Sequence, residues 1–304
     1  MAIAAVRPIV LAAVLAAVPG LLATAALAQD KPGKPAKSGL NGPAKALFGA
    51  KSAPADMAAR AIGFYTRGCL AGAMALPVDG PTWQAMRLSR NRNWGHPDLV
   101  RMLERLAAQA PNLGWRGLLV GDLAQPRGGP MLTGHASHQV GLDADVWLTP
   151  MPDRVLSRQE REDMSAINVV ADDWNDIDPK VWTPAHHAII KAATQLPRVE
   201  RVLVNPAIKK ALCREARGHR RWLATVRPFY GHNYHMHIRI QCPRDNPGCR
   251  PQAAPPNDDG CGKELAWWFT KQARTPPKKK PVKPPPPITL AQLPAACRTV
   301  LTAP

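Results

Sequence analysis

Residues 134–145 read GHASHQVGLDAD, and residues 232–242 read HNYHMHIRIQC. Together these two stretches hold five of the nine histidines. Apolar and polar residues alternate over 235–242 and again over 141–148, and this period of two predicts a pair of β-strands. One face of each strand is apolar, while the other carries histidines in one strand and carboxylates in the other.

Helices and further strands are predicted around this pair. Helical spacing of apolar residues, or a proline in the first turn, marks the helices, and short apolar runs mark the strands. The predicted helices cover 98–110, 184–195, 206–217 and 265–272, and the predicted strands cover 115–120 and 199–204. Because these elements mix without a repeated β–α–β rhythm, the sequence favours an α+β fold.

The first 28 residues have the composition of a secretory signal peptide. Arg7 precedes a long apolar run that ends in small residues at 26–28, where a signal peptidase cleaves. A membrane anchor is the alternative, because the run is nearly long enough to span a bilayer, but the cleavage pattern favours removal. No other stretch is apolar enough to span a membrane. We therefore expect a periplasmic protein without a transmembrane segment once the signal is removed.

Composition divides the rest of the chain into three parts. Residues 29–45 are rich in Lys, Pro and Gly, which is typical of a flexible leader. Residues 275–287 consist mostly of Pro and Lys and are expected to be extended. One folded domain is thus predicted over 46–274, followed by a tail over 275–304 that a paired Cys297 would tie back to the body.

Six cysteines in an exported chain indicate disulfide bonds, because that compartment is oxidising. A cysteine-based zinc site is disfavoured, since no Cys-x-x-Cys pair occurs. Cys242 and Cys249 are close enough to close a small loop, while spacing leaves the other pairings open.

The formal net charge of +18 favours a polyanionic partner. For an exported protein the candidates are anionic polymers of the cell envelope. Nucleic acid is disfavoured, because the sequence contains neither an interleaved aromatic and basic pattern nor a nucleic-acid motif. Part of the charge is expected to be plain solvated surface.

The polar faces of the two predicted strands indicate a metal site. His235 and His237 lie two residues apart and share a face, and a turn near Gly141 would bring His138 back towards Asp145. Two imidazoles and one carboxylate make a three-ligand zinc site with an open position for water, which is typical of catalysis. Zinc activates that water, and a spare histidine serves as general base and then general acid.

A serine or cysteine nucleophile is disfavoured. The chain has no Gly-x-Ser-x-Gly or Ser-x-x-Lys pattern, and its cysteines are expected to be paired. Ser137 stands beside His138, but neighbours in sequence rarely form a productive dyad. Asp143 is expected either to orient a ligand histidine or to lie at the surface.

The histidine-rich stretches resemble the signature of the penicillin-insensitive murein endopeptidases. The resemblance spans about 47–297 and is carried by GHASHQVGLDAD at 134–145, VNPAIK at 204–209, RP at 227–228, HNYHMH at 232–237 and GCG at 260–262. It implies a fold shared with lysostaphin-type peptidases, D-Ala-D-Ala metallopeptidases and hedgehog signalling domains. That fold is a small antiparallel sheet with flanking helices, disulfide bonds and a zinc site on the sheet, so the domain over 46–274 is expected to be a metallopeptidase domain.

The resemblance also implies roles for individual residues. It assigns four residues to the zinc site, namely His135, His138, Asp145 and His237. It implies that His235 is the general base and that His232 stabilises the tetrahedral intermediate. The disulfide bonds of the family imply the pairs Cys69–Cys297, Cys213–Cys261 and Cys242–Cys249.

A second metal site, described for some members of the family, would involve Asp173 and Asp176. Here Asp176 stands where a histidine is expected, upstream of Trp182. A solvated turn is therefore favoured over a second ion, and one Zn²⁺ per chain is expected.

The implied reaction is hydrolysis of the D-alanyl–meso-diaminopimelyl cross-link amide of peptidoglycan. Penicillin insensitivity follows, because there is no serine to acylate. A D,D-carboxypeptidase of the same fold is the first alternative, although that sub-class carries Glu-x-x-His where this chain has His235-Met236-His237. The second alternative is a non-catalytic zinc protein that binds the cell wall, which would apply if His135 closed the coordination sphere.

Overall fold

A computed structural model describes residues 40–275 and 285–304 of the chain. The predicted signal peptide (1–28), residues 29–39 of the predicted leader and residues 276–284 of the Lys- and Pro-rich stretch lie outside the described residues. The first helix begins at Ala44, so it includes the last two residues of the predicted leader. Among the described residues no helix combines the length and the apolar character needed to cross a membrane.

Eleven short strands and eight α-helices alternate irregularly along the described chain. The strands are β1 (Arg60–Phe64), β2 (Arg67–Ala71), β3 (Met74–Ala75), β4 (Asp79–Gly80), β5 (Trp83–Ala85), β6 (Trp94–Gly95), β7 (Leu118–Val120), β8 (Asp143–Pro150), β9 (Val199–Val204), β10 (Val226–Pro228) and β11 (His235–Ile240). The helices are α1 (Ala44–Gly49), α2 (Pro97–Gln109), α3 (Arg158–Asp163), α4 (Pro184–Gln195), α5 (Pro206–Glu215), α6 (Lys263–Trp267), α7 (Lys271–Arg274) and α8 (Ala296–Thr302). Short 3₁₀ turns cover Leu88–Arg90, Ala110–Leu113, Arg221–Thr225 and Leu290–Gln292. The α+β class is thus confirmed.

The central sheet is larger than the small antiparallel sheet that the resemblance implies. It has seven strands in the order β10-β9-β11-β8-β7-β5-β4. The four middle strands, from β9 to β7, are antiparallel to their neighbours, but β10 runs parallel to β9 and β5 runs parallel to β7. Each parallel pair needs a long crossover, which helix α5 provides on one side and helix α2 on the other.

The three longest helices begin in the same way. His96 and Asn205 accept a hydrogen bond from the backbone N–H two residues later, Thr183 forms a capping box, and each is followed by a proline at the first helical position. Proline fits there because it lacks only an N–H that would be unpaired in any case. These local signals explain why helices α2, α4 and α5 match the predicted ranges to within two residues.

The predicted helix over 265–272 is wrong, because two short helices, α6 and α7, occupy that region. The Thr270 side chain accepts a hydrogen bond from Ala273 N–H and so begins a new helix. The predicted strand over 115–120 is shorter than expected and starts at Leu118.

Helices α2 and α4 pack on one face of the central sheet, while the opposite face carries polar groups and a small apolar cluster that includes Leu119 and Trp147. The apolar sides of β8 and β11 are buried in one large core together with residues of helices α2 and α4. That core includes Ala144, Val146, Leu148, Met236, Ile238 and Ile240. The opposite sides of the same two strands therefore carry the polar residues, as their alternation predicts.

A second apolar core joins the two ends of the described chain, and we call it the terminal cluster. Its members are Ala44, Phe48, Ala55, Ile62, Cys69, Ala71, Leu290, Leu293, Cys297, Val300 and Leu301. Disulfide Cys69–Cys297 crosses this cluster, and the other two pairs in the structure are Cys213–Cys261 and Cys242–Cys249. These are the three pairs that the resemblance implies. The tail after residue 285 thus packs on the body instead of extending away from it.

Candidate metal centre

The register of β8 and β11 brings a histidine and a carboxylate directly together. His237 lies opposite Asp145, Arg239 lies opposite Asp143, and His235 lies opposite Trp147. The His237 Nδ1 atom is 3.1 Å from Asp145 Oδ1. A slip of one residue would turn all of these side chains into the apolar core, so the pattern of buried residues fixes the register.

The loop before β8 folds back and adds His138 to the pair. Gly141 has φ +70°, and a Cβ there would lie 2.9 Å from the backbone nitrogen of His96, so only glycine fits. His138 is itself left-handed, with φ +65°, and its backbone N–H donates to Asp143 Oδ2 at 3.2 Å. The turn predicted near Gly141 therefore does carry His138 to the carboxylates of β8.

Hydrogen bonds fix which nitrogen of each buried imidazole carries a proton. His138 Nδ1 donates to the carbonyl oxygen of Leu123 at 2.8 Å, and His237 Nε2 donates to Asp143 Oδ1 at 2.9 Å. In the neutral rings the remaining nitrogens, His138 Nε2 and His237 Nδ1, then carry lone pairs. These two atoms face each other at 3.2 Å, with Asp145 Oδ1 within 3.5 Å of both.

Lone pairs and a carboxylate repel one another unless a proton or a metal ion lies among them. The pKa of His237 reflects this need for positive charge. Burial lowers that pKa, but Asp143 and Asp145 outweigh burial and raise it to about 9. Burial lowers the pKa of His138, whereas the pKa of Asp145 lies well below its usual value despite its burial, because His138 and His235 favour its ionised form. The group formed by His138, Asp143, Asp145 and His237, which we call the metal cluster, thus suits a divalent cation.

His135 approaches the cluster from the same loop. One ligand atom each from His135, His138 and Asp145 lies within 4.8 Å of the others. His135 Nε2 is 3.5 Å from Asp145 Oδ2 but only 3.1 Å from Asp122 Oδ2. His135 therefore differs from the other predicted ligands, because metal binding through this nitrogen would have to replace its contact with Asp122.

Asp122 is the member of the site that sequence reasoning missed. It is buried and accepts hydrogen bonds from Arg92 Nη1 at 2.8 Å and Arg90 Nη1 at 3.0 Å. Burial opposes its ionisation, but the contacts with His135 and Arg92 outweigh burial and lower its pKa to about 2. Asp122 lies outside the histidine-rich stretches, and only its position just after β7 could have drawn attention to it.

Asp143 connects the metal cluster to its support. Its Oδ1 accepts from both His237 Nε2 and Arg239 Nε, at 2.9 and 2.7 Å, and its Oδ2 accepts from His138 N–H. The Arg239 guanidinium in turn lies over the ring of Tyr65, 4.0 Å from its centroid. Of the two roles expected for Asp143, the structure supports orientation of a ligand histidine.

His232 and His235 lie beside the cluster. The His235 Nε2 atom is 3.6 Å from Asp145 Oδ1, and burial lowers its pKa. His232 has φ +51°, its ring centroid is 4.8 Å from that of His235, and its Nδ1 donates to the carbonyl oxygen of Tyr230 at 3.1 Å. All six predicted site residues are thus gathered around one position.

Asp173 and Asp176, the residues that a second metal site would involve, make their contacts away from the metal cluster. Asp173 accepts hydrogen bonds from the backbone N–H and the side-chain amide of Asn175. Asp176 forms ion pairs with Arg214 at 2.7 Å and with Lys210 at 3.3 Å. Within the described part of the chain these two carboxylates join no group of three or more metal-ligating side chains. The arrangement is that of a turn.

The cluster opens into a cavity of about 320 Å³. Its wall includes Asp145 of the cluster and the neighbouring His135 and His235, together with Arg87, Trp147 and Tyr234. His138 and His237 are buried behind these residues. A ligand can therefore reach the cluster from the side on which Asp145 and His235 line the cavity.

An α+β fold that holds converging imidazoles and carboxylates at the base of an open cavity is typical of a metal-dependent hydrolase. Comparison with known proteins identifies which one: the sequence model described as "Penicillin-insensitive murein endopeptidase" matches residues 61–302. The chain belongs to this family of peptidoglycan-hydrolysing metallopeptidases, as the histidine-rich stretches predict.

Curated relatives cover most of the chain. A penicillin-insensitive murein endopeptidase of Haemophilus influenzae is 47% identical over 214 residues, which are 70% of this chain and 74% of the relative. The Klebsiella pneumoniae protein of the same name is 43% identical over 250 residues, 82% of this chain and 88% of the relative. An Escherichia coli counterpart is 43% identical over 216 residues, 71% of this chain and 78% of the relative.

Proposed function

We propose that this murein endopeptidase is zinc-dependent and hydrolyses the D-alanyl–meso-diaminopimelyl cross-link amide of peptidoglycan. One observation carries the proposal: the lone pairs of His138 Nε2 and His237 Nδ1 face each other at 3.2 Å beside Asp145. Two nitrogen ligands and one carboxylate are a set that zinc prefers, and they leave a fourth position for water. Family membership supports peptidoglycan as the substrate.

His235 is the proposed general base. When bound, zinc supplies Lewis-acid polarisation of the scissile carbonyl and lowers the pKa of a water molecule. Burial lowers the pKa of His235, so its ring is neutral at neutral pH and can accept the proton of the attacking water. The protonated ring then returns that proton to the leaving amine.

His232 is proposed to stabilise the developing oxyanion. Burial and the neighbouring histidines lower its pKa to about 4, so the resting ring is neutral. Because Nδ1 donates to Tyr230, Nε2 carries a lone pair in that state. His232 can therefore donate from Nε2 only while it is protonated. Its ring centroid lies 4.8 Å from that of His235, which supports a temporary transfer to His232 of the proton that His235 has taken from water, with the proton passing back through His235 to the leaving amine.

We further propose that the protein acts in the periplasm. Three disulfide bonds support an oxidising compartment. The net charge of +18 supports attraction to anionic polymers of the envelope, where the substrate also lies.

Digestion of purified cross-linked muropeptide dimers tests the proposed reaction. We expect the mature protein to convert dimers to monomers, and we expect a chelator or His237→Ala to abolish the conversion. Added zinc should restore the chelated protein but not the variant. The matched control is His219→Ala, which replaces an exposed histidine and should retain activity.

Two other outcomes would each favour an alternative. Release of D-alanine from pentapeptide monomers, with dimers left intact, would indicate a D,D-carboxypeptidase. Intact dimers and pentapeptides in the presence of fully bound zinc would indicate a wall-binding protein without catalytic activity.

A further inference from the structure

Two arginines, Arg87 and Arg90, line the cavity that leads to the metal cluster, and they differ in whether a carboxylate pairs with them. Arg90 Nη1 lies 3.0 Å from Asp122 Oδ2, an atom that it shares with Arg92, so Arg90 is already paired with a carboxylate of the site. Arg87 has no carboxylate within 4.0 Å among residues 40–275 and 285–304. Arg87 thus brings to the cavity a positive charge that forms no direct ion pair with a carboxylate of the described residues.

The side chain of Arg87 is held in place by uncharged groups. Its Nη2 donates to the carbonyl oxygen of Met164 at 2.9 Å, and its guanidinium lies 5.6 Å from the centroid of the Trp147 ring. Its backbone N–H donates to Arg161 O at 3.1 Å. A guanidinium has five N–H donors, so the contact with Met164 leaves several available to a ligand.

The backbone of Arg87 is also unusual. Its φ is +57°, a left-handed conformation that is uncommon for a residue with a long side chain. Surrounding contacts must impose such a conformation, and conformations of this kind concentrate at ligand sites. Here they direct the charge into the cavity instead of the solvent.

Arg87 lies on the same wall as the proposed general base. Trp147, on which the guanidinium packs, is the direct cross-strand neighbour of His235. Asp145 and His235 line the same cavity as Arg87. A substrate whose amide lies at the metal cluster would therefore present its next polar group to Arg87.

We propose that Arg87 binds the substrate carboxylate on the carbon that bears the scissile nitrogen. This inference rests on the proposed function. When an amide joins an acyl group to the amino group of an amino acid, the carboxyl of the acyl residue is consumed, but the amino acid that supplies the nitrogen keeps its own carboxylate next to the bond. A guanidinium matches a carboxylate with two parallel N–H···O bonds, so Arg87 would fix the orientation of the leaving-group side.

Paired substrates test the assignment. Cross-linked dimers are prepared with the carboxylate next to the scissile nitrogen either free or converted to the carboxamide. For the wild-type protein we expect kcat/KM to fall about 10- to 100-fold on amidation, as for loss of a charged hydrogen bond. Arg87→Gln should lower kcat/KM by a similar factor on the free carboxylate, and it should cleave the two substrates at similar rates.

Arg90→Gln is the matched control, because Arg90 lines the same cavity but is already paired with Asp122. Whatever its effect on rate, this variant should keep the wild-type preference for the free carboxylate. The assignment is overturned if Arg87→Gln keeps the preference, if Arg90→Gln also removes it, or if the wild-type protein cleaves both dimers equally. Failure of the wild-type protein to cleave either dimer would overturn the proposed function and this inference with it.

Discussion

The metal cluster and the terminal cluster are both buried, but different forces hold them together. The metal cluster packs ionisable groups against one another, and Asp143, Asp145, His138 and His237 are all nearly inaccessible to solvent. The terminal cluster consists of apolar side chains crossed by one disulfide bond. Burying charges is costly unless they are balanced, whereas apolar burial is favourable by itself. The first region should therefore respond to metal and pH, and the second to reduction.

The largest effect is expected from removing the charge that the metal cluster is built around. Asp145→Asn keeps the shape of the side chain but replaces the carboxylate that faces both His138 and His237 with a neutral amide. We expect activity to fall to the level of chelated protein and bound zinc to be lost, as measured by metal analysis of the folded variant. Asp245→Asn, at an exposed position, is the control and should retain both zinc and activity. Full zinc content in Asp145→Asn would contradict the ligand assignment.

The next largest effect concerns the terminal cluster. Cys69–Cys297 joins residues 228 apart, whereas Cys242–Cys249 joins residues only seven apart. Longer loops lose more chain entropy on closure, so Cys69→Ser with Cys297→Ser should lower the free energy of unfolding by about 3 to 5 kcal/mol, and Cys242→Ser with Cys249→Ser by about 2 kcal/mol. Denaturant unfolding measures both.

Zinc content separates the two regions in the same experiment. At low denaturant both double variants should bind one zinc per chain, because neither disulfide contacts the metal cluster. Loss of zinc from the folded Cys69→Ser, Cys297→Ser protein would show that the terminal cluster also shapes the site, and the contrast between the two regions would then be wrong.

A smaller effect is expected from loosening the metal cluster without removing a ligand. Asp143 holds the Nε2 proton of His237 and so directs Nδ1 towards the metal position. Asp143→Asn should lower zinc affinity or activity about 10- to 100-fold, as is typical when the partner of a ligand histidine is changed. Competition with a chelator of known affinity measures the first quantity. An unchanged affinity together with unchanged activity would mean that Arg239 and the sheet suffice to orient His237.

The two regions also differ in how far the sequence predicts them. The metal cluster is visible because its ligands lie in two short stretches whose alternation and one glycine turn determine where each side chain points. The β1–β2 hairpin of the terminal cluster was not predicted, because β1 buries three consecutive residues and lacks that alternation. Its partner, helix α8, follows the Lys- and Pro-rich stretch, and the sequence predicts only that a paired Cys297 ties this tail back, not that the tail forms a helix.

Long-range contacts explain what sequence reasoning missed within the site. Asp122 becomes part of the centre only because β7 pairs with β8, and Arg87 only because Trp147 lies under its guanidinium. Neither residue stands in a motif. The two parallel pairs of the sheet, β9–β10 and β5–β7, are also not predicted by any local pattern, since they depend on crossovers whose ends lie far apart in sequence.

A pH dependence of stability should belong to the metal cluster alone. In the metal-free protein the pKa of His237 is raised from its ordinary 6.5 to about 9. A histidine whose pKa is raised on folding stabilises the folded state fully at pH values below its pKa in the unfolded chain. This stabilisation is lost as the pH rises towards its pKa in the folded state. The pKa of His135 is also raised, by Asp122 and Asp145 against the effect of burial, and acts in the same direction. The chelated protein should therefore become less stable between about pH 6.5 and 9.

Zinc should remove that slope, because the metal takes the place of the proton at His237 Nδ1 and supplies the positive charge at every pH in the window. His138 and His235 do not interfere, since burial lowers their pKa values and both rings are neutral in the folded state over this range. Denaturant unfolding from pH 6.5 to 9, with chelator and with excess zinc, measures the two profiles. A chelated protein with a flat profile would show that no proton balances the buried carboxylates, and the charge argument for the metal position would lose its support.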